Sequence, residues 1–442
     1  MRRLLMDRLV EWKDDFKRKP ILITGVRQCG KTHLLKEFAR GYFPEDHLYL
    51  NLEENPAVAE VFQIDLVADR IIRDLKNLYY HKEIVPGKTL IILDEIQVES
   101  RAITAMKYFN ENMPELHIIG AGSLLGVSLR RDATSYPVGK VTPIQMYPMN
   151  FKEFLWATKS DHLVEAMDDT DWSESVPSIY HEPLKRQLLD YYLIGGMPEA
   201  VKTWVETQND REVAAIQSAI LDGYRNDFSK YAPIDRMIDL ETIWEAVPVQ
   251  LAEDNQKFIF SRVKRSARAK DLEPSIQWLL DAGLIYRLHK IENASETPLV
   301  LQSDKTYYKI YLSDIGLMGR MLQVNRQTFQ NPQGRTGRYM GILTENYVLT
   351  ELITMGFDPV YWKSGNTAEL DFLIEKNGLV VPVEAKAKIN RQAKSYAQFV
   401  KKYRPEMGLI FSLEDRYITS SGGTTTYHVP LYFVHRIPSL IK

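Results

Sequence analysis

What is scarce in this 442-residue chain narrows its reading before any motif is considered. Cys29 is the only cysteine, so no intramolecular disulfide forms and the disulfide-stapled secreted scaffolds are excluded. No stretch approaches the ~20 consecutive apolar residues of a spanning helix, so no membrane-crossing segment is expected. The N-terminal MRRLLMDRLVEW is interrupted by Asp7, Arg8 and Glu11, which leaves no signal-peptide core. Neither sign of charge is in excess. The 56 Lys and Arg against 58 Asp and Glu leave a net charge of −2, so contact with nucleic acid must come from a local patch. Internal repeats and low-complexity tracts are also missing. What remains is an ordinary globular composition, 45% apolar and 26% charged. At ~100–200 residues per domain it suggests about three domains. A soluble, cytoplasmic protein with no membrane partner is expected.

Along the chain, an amphipathic helix over residues 1–19 leads into a short apolar strand at 21–23. Strand-like runs recur at 47–52, 89–93 and 117–119, with helical periodicity between them. That alternation predicts a parallel sheet covered on both faces, in a domain over residues 1–155. The segment 168–178, DDTDWSESVPS, is acidic and turn-rich and reads as a loop. A helical segment is expected over 156–235. Over 236–312 three helices precede strands at 284–290 and 307–312, a winged-helix-like order. Over 313–442 a Gly-bearing loop (330–338) and a helix (342–355) precede further elements. Strands are predicted at 360–363, 369–374, 379–386, 408–411 and 431–434, with a helix near 391–402. The fold class is therefore α/β throughout.

Gly25-Val26-Arg27-Gln28-Cys29-Gly30-Lys31-Thr32 fits the pattern G-x-x-x-x-G-K-S/T. Glycines let such a loop wrap a phosphate with its N–H groups pointing inward, and the following helix adds its positive end. In that mechanism Lys31 reaches the β/γ-phosphates of ATP and the Thr32 hydroxyl meets Mg²⁺. Context agrees: the loop follows an apolar strand and precedes an amphipathic helix. The run at 89–93 ends in Asp94-Glu95, which places Asp94 as a second Mg²⁺ contact and Glu95 as the residue that polarises a hydrolytic water. Glu95 also reads as a solvated acid after a strand. The strand at 117–119 leads to Gly120-Ala121-Gly122-Ser123, where Ser123 either reports the γ-phosphate or is a surface serine in a glycine-rich turn.

Near the C-terminus, Asn377-Gly378 between two apolar runs signals a hairpin. With these two as the central turn residues, Lys376 faces Leu379, Asp371 faces Glu384 and Glu369 faces Lys386. Side chains alternate, so Asp371, Glu384 and Lys386 share one face. Two opposed carboxylates repel, and a divalent cation between them would turn that cost into a site. The alternative is a Lys386–Glu369 salt bridge on a solvated hairpin. Residues 257–270 carry Lys257, Arg262, Lys264, Arg265, Arg268 and Lys270 with no acid. The helix that follows holds Asp271, Glu273 and Asp281, which would repel a DNA backbone. This favours a solvated basic face over a sequence reader and leaves sequence-independent phosphate contact open.

GVRQCGKT, LIILDE, GAGS and PMNFKEFL, in this order, resemble bacterial AAA-type P-loop ATPases. YYLIGGMPEAV, LLDAGLI, IYLSDIGLM and AELDFLIE…VPVEAKA resemble the C-terminal domain of unknown function that follows the ATPase in that family. The resemblance implies ATP binding through Gly25, Gly30, Lys31 and Thr32, with Asp94 and Glu95 completing the site. It also implies a C-terminal module similar to PD-(D/E)xK nucleases. In such a module Asp371, Glu384 and the upstream acid Glu345 would hold Mg²⁺ or Mn²⁺ at a scissile phosphate, and Lys386 would orient the attacking water. Partners implied are ATP and DNA or another nucleic acid. The competing expectation is a nucleotide-gated switch or adaptor for a protein partner, with no nuclease turnover. The chain departs from the family at Gly139-Lys140, where many members have Gly-Arg. A lysine does not replace an arginine fork on a phosphoryl group.

Overall fold

The computed structural model describes residues 1–79, 82–127, 137–253, 256–330, 335–365, 368–387 and 393–441. Two compact units emerge: Met1–Pro148 with Trp278–Leu284, and Met149–Gln277 with the chain from Ile285 onward.

The first unit is built on five parallel strands: β1 (Ile21–Gly25), β2 (His47–Asn51), β3 (Leu90–Asp94), β4 (His117–Ala121) and β5 (Thr142–Met146). Their order is β2-β3-β4-β1-β5. β3 and β4 are buried at every position, as continuous apolar runs require when helices cover both faces. Leu22, Ile91, Leu93 and Ile118 pack in one cluster with Val58, Phe62, Ile71, Met106 and Phe109 from the helices Pro56–Ile64, Ala68–Leu78 and Ser100–Asn112. The N-terminal helix, Leu4–Asp14, is shorter than its expected span and buries Leu5, Leu9 and Trp12 along one stripe. β5 is absent from the sequence reading. It is an edge strand with alternating exposure and a proline, Pro143, so it lacks the apolar run that marks its neighbours.

The second unit holds an eight-stranded mixed sheet in the order β12-β13-β11-β10-β9-β8-β6-β7. Its strands are β6 (Ile285–Ile291), β7 (Asp304–Leu312), β8 (Val360–Ser364), β9 (Ala368–Lys376), β10 (Leu379–Ala385), β11 (Met407–Ser412), β12 (Tyr417–Ser421) and β13 (Thr424–Pro430). The helices Met237–Leu251, Phe260–Val263 and Ala269–Asp281 precede the β6–β7 pair in the expected order. β6 also pairs with β8, so this hairpin is the margin of a larger sheet rather than a freestanding wing. Two motifs of the family resemblance meet at Asp314. Its carboxylate caps the helix Ile315–Met321 through Leu317 N (2.9 Å) and accepts from Gly196 N (2.6 Å). Burial raises its pKa to about 6. The strand expected at 431–434 is instead a 3-10 turn, Leu431–Arg436, with Leu431 to Val434 fully buried. A short apolar run buried on all sides does not distinguish a strand from a helical turn. The helix expected near 391–402 is Lys394–Tyr403, residues 391 and 392 lying outside the described residues. Of the 330–338 loop, residues 331–334 also lie outside them, and the helix Arg335–Thr354 follows.

Candidate functional site

The phosphate-loop residues bridge a buried strand end and a helix N-terminus: Gly25 closes β1 and Lys31 opens the helix Lys31–Tyr42. Both glycines are required by geometry. A Cβ on Gly25 would fall 2.3 Å from the Met146 carbonyl oxygen, and Gly30 has φ 97°. Arg3 clamps the loop from outside, Nη1 donating to the Cys29 carbonyl (2.8 Å) and Nη2 to the Tyr147 carbonyl (2.6 Å). Cys29 is fully buried, its Sγ 3.8 Å from the Met146 carbonyl oxygen, so the thiol packs inward. Lys31 Nζ lies along the loop and donates to the carbonyls of Gly25 (2.8 Å) and Val26 (2.9 Å).

The loop and the end of β3 meet directly. The Thr32 hydroxyl donates to Asp94 Oδ2 at 2.7 Å, and Tyr49 from β2 donates to the same oxygen at 2.6 Å. Burial, then the bond to Asp94, raises the Tyr49 pKa and keeps its hydroxyl a donor. Glu95 has a left-handed backbone, φ 52°, and its Oε2 accepts from Gln97 Nε2 at 2.5 Å. Ser123 is buried just past β4, the strand between β1 and β3. Lys140 forms an ion pair with Glu111 at 2.9 Å. Arg3, Tyr49 and Gln97 escaped the sequence reading because none belongs to a spaced motif. For Tyr49 a signal existed, the alternation of HLYLN beside the Asp94 strand.

In the second unit the hairpin takes the register read from its turn. Asn377 and Gly378 have φ of 53° and 79°, and pairing runs from Leu379–Lys376 to Val383–Phe372. One step further places Asp371 opposite Glu384, and Asp371 Oδ2 accepts from Ala385 N at 2.8 Å. Burial, then the Glu384 charge, pushes the Asp371 carboxyl well above its ordinary pKa. Glu384 is buried, which raises its own pKa, and Lys386 donates to its Oε1. The alternative Lys386–Glu369 bridge does not form. Glu369 pairs with Lys309 (2.7 Å) and with Lys363 (2.8 Å), because β8 flanks β9 and sets Lys363 opposite Glu369.

Glu345, on the helix Arg335–Thr354, comes to the same place. It accepts from Tyr311 Oη (2.8 Å) and Gln256 Nε2 (3.2 Å), with Lys309 Nζ 3.7 Å away. Lys309 is buried. Burial alone would lower its pKa, but Glu345, Glu369 and Asp371 outweigh this and raise it. Burial likewise opposes the Lys386 charge, and Glu384 and Asp371 prevail. Among the described residues no group of three or more His, Cys, Asp or Glu side chains stands ready to hold a metal ion. Lys309, Tyr311 and Gln256 were not anticipated, since they reach the cluster only through sheet order and a loop contact.

The comparisons with known proteins agree with the N-terminal geometry. Residues 17–155 match a family model described as AAA domain. Residues 185–328 and 340–432 match models described as Domain of unknown function (DUF8612) and Domain of unknown function (DUF4143). An uncharacterized protein of Methanocaldococcus jannaschii is 24% identical over 369 residues, covering 80% of this chain and 71% of that one. An uncharacterized protein of Haemophilus influenzae is 25% identical over 397 residues, covering 86% and 84%. Among solved structures, the Walker-type ATPase of Pyrococcus abyssi aligns with TM-score 0.46 and 14% identity over 73% of this chain and 95% of that one. The AAA domain match and the loop geometry support an AAA-type ATPase that binds ATP. No helix among the described residues is long and apolar enough to cross a membrane.

Proposed function

We propose that this chain binds and hydrolyses Mg²⁺-ATP in its first unit and that its second unit acts on nucleic acid through the β9–β10 hairpin. The observation that carries the first part is the 2.7 Å contact of Thr32 with Asp94, which brings the loop hydroxyl and the strand-end carboxylate to one point. A hydroxyl and a carboxylate are the hard oxygen donors that Mg²⁺ takes. When bound, the ion would offset the charge of the β/γ-phosphates. Around it the loop N–H groups and the helix N-terminus hold the phosphates and Lys31 adds a cation. Tyr49 orients Asp94, and Glu95, steadied by Gln97, accepts the proton of the attacking water. Ser123, buried just past β4, reads the terminal phosphate.

In the second unit, Asp371 and Glu384 face one another beside Lys386 and Glu345. Mg²⁺ commonly uses one or two carboxylates together with waters and substrate phosphates, so the pair suffices without a closed protein cage. Lys386 then orients the attacking water. A second reading has one observation in its favour: Glu384 is buried and engaged by Lys386, as suits a binding platform without turnover. That reading is a nucleotide-gated adaptor for a protein partner.

Lys31→Ala is expected to lose ATP affinity with the fold intact, whereas Glu95→Gln keeps binding and slows phosphate release. A folded Lys31→Ala protein that binds ATP normally would remove the loop assignment. Incubation with Mn²⁺ and a DNA panel separates the two readings of the second unit, since only the first yields cleaved DNA.

A further inference from the structure

The acid-free stretch from Gln256 to Lys270 is tied at its start to the carboxylate cluster. Gln256 donates to Glu345 (3.2 Å) and accepts from Lys309 (2.5 Å). The next residue, Lys257, lies over the Tyr307 ring with its Nζ 3.3 Å from the centroid. Two cations further along are neutralised: Arg262 by Glu253, and Lys264 by Asp239 at 3.3 Å. Arg265, Arg268 and Lys270 differ. All three are exposed, and among the described residues their side chains form no ion pair. Ser266, with φ 67°, and a bond from Ala267 N to the Lys264 carbonyl make a tight turn at Arg265, just ahead of Arg268 and of Lys270 in the first turn of the helix Ala269–Asp281.

Of the acids that argued against a phosphate surface, Glu273 is drawn to another partner, while Asp271 stays beside Arg268. Asp271 Oδ2 accepts from Arg268 N at 2.9 Å, capping the helix that follows. Glu273 binds Arg287 at 2.6 Å and Tyr308 Oη at 3.0 Å. The segment itself offers little apolar surface. Between residues 250 and 299, among the described residues, no large hydrophobic side chain is exposed, although Ile234 and Ile238 are, next to the Arg236 and Asp239 that reach Asp271 and Lys264. Protein interfaces concentrate energy in aromatic and apolar anchors, and membrane-surface helices need an apolar face. Three exposed, unpaired cations within six residues suit a phosphate backbone.

We propose that the segment Arg265–Lys270, bearing Arg265, Arg268 and Lys270, is a sequence-independent contact surface for the phosphate backbone of nucleic acid. The proposal rests on the reading above for the identity of the polymer and on this segment for the surface. It is tested with full-length protein and fluorescein-labelled DNA, duplex and single-stranded, in two unrelated sequences. Binding is followed by anisotropy without divalent metal from about 50 to about 200 mM salt. Wild type is expected to bind both sequences alike, with affinity falling steeply as salt rises. The triple variant Arg265→Ala, Arg268→Ala, Lys270→Ala should lose about 2.7 from the log–log salt slope on duplex, ~0.9 for each of three contacts, and about 2.1 on single strands. It should bind ATP as wild type does. Cleavage with Mn²⁺ is scored separately: DNA that is held at this surface but never cut removes the hairpin reading alone, so the two failures leave different signatures. An unchanged slope in the triple variant overturns the proposal. So does wild-type binding to phosphatidylserine vesicles but not to DNA.

Discussion

Glu351 shows how one buried side chain ties stability to pH. Its Oε1 accepts from Phe151 N at 3.0 Å, while its Oε2 is buried without a partner among the described residues. Burial, then the nearby Glu153 charge, raises its pKa from 4.5 to about 7. The folded state therefore holds this proton at pH values where the unfolded chain has released it. Stability from this group is intact below about pH 4.5 and falls as pH rises toward 7, by a total on the order of 3 kcal/mol. Glu351→Gln keeps an acceptor for Phe151 N and removes the titration. Relative to wild type, its unfolding free energy should rise between pH 4.5 and 7 and level off above. Urea unfolding across that range checks this; a constant difference would show that Glu351 is ionised throughout. Asp94 makes a different residue-scale point. Its carboxylate receives hydroxyls from two elements, Thr32 of the loop helix and Tyr49 of β2, so its position is fixed from both sides.

At the scale of elements, the β9–β10 hairpin was legible because a two-residue turn fixes register and register fixes faces. The same logic yields a metal prediction. Asp371→Asn or Glu384→Gln removes one side of a buried carboxylate repulsion, so either variant without metal should melt no lower than wild type. With Mn²⁺, only wild type should gain melting temperature, since a ligand held by the folded state alone adds stability by mass action. Equal gains in all three proteins would place the ion elsewhere. What the local pattern could not carry was the sheet around the hairpin. The pairing of Glu369 with Lys363 and Lys309 depends on β8 and β7, and no short spacing encodes that order. β5 escaped for a related reason: at an edge, with Pro143 in it, it never forms an apolar run. The phosphate loop was legible because its chemistry is sequence-local, running from strand to loop to helix within Ile21–Tyr42. Its supports, Arg3 and Tyr49, come from elsewhere in the chain.

At the scale of the whole molecule, the two candidate sites belong to different units. The nucleotide site is made within the first unit from β1, β3 and the helix Lys31–Tyr42, whereas the carboxylate cluster is made within the second from β7, β9, β10 and the helix Arg335–Thr354. Each unit has its own sheet, so a ligand's stabilisation should register first where its own contacts are made. At 100-fold excess over its dissociation constant a ligand adds about 2.7 kcal/mol. Local opening in the segments it binds should then slow by about a hundredfold. Hydrogen-exchange mass spectrometry resolves this. Mg²⁺-ATP should slow exchange over residues 21–42 and 90–95, and Mn²⁺ over 368–387. Lys31→Ala should abolish the first pattern and leave the second, and Glu384→Gln should do the reverse. ATP binding that also slowed exchange over 368–387 in wild type, but not in Lys31→Ala, would join the two sites energetically. That result would favour the nucleotide-gated reading, because a switch needs nucleotide free energy to reach the second unit, whereas two independent activities do not.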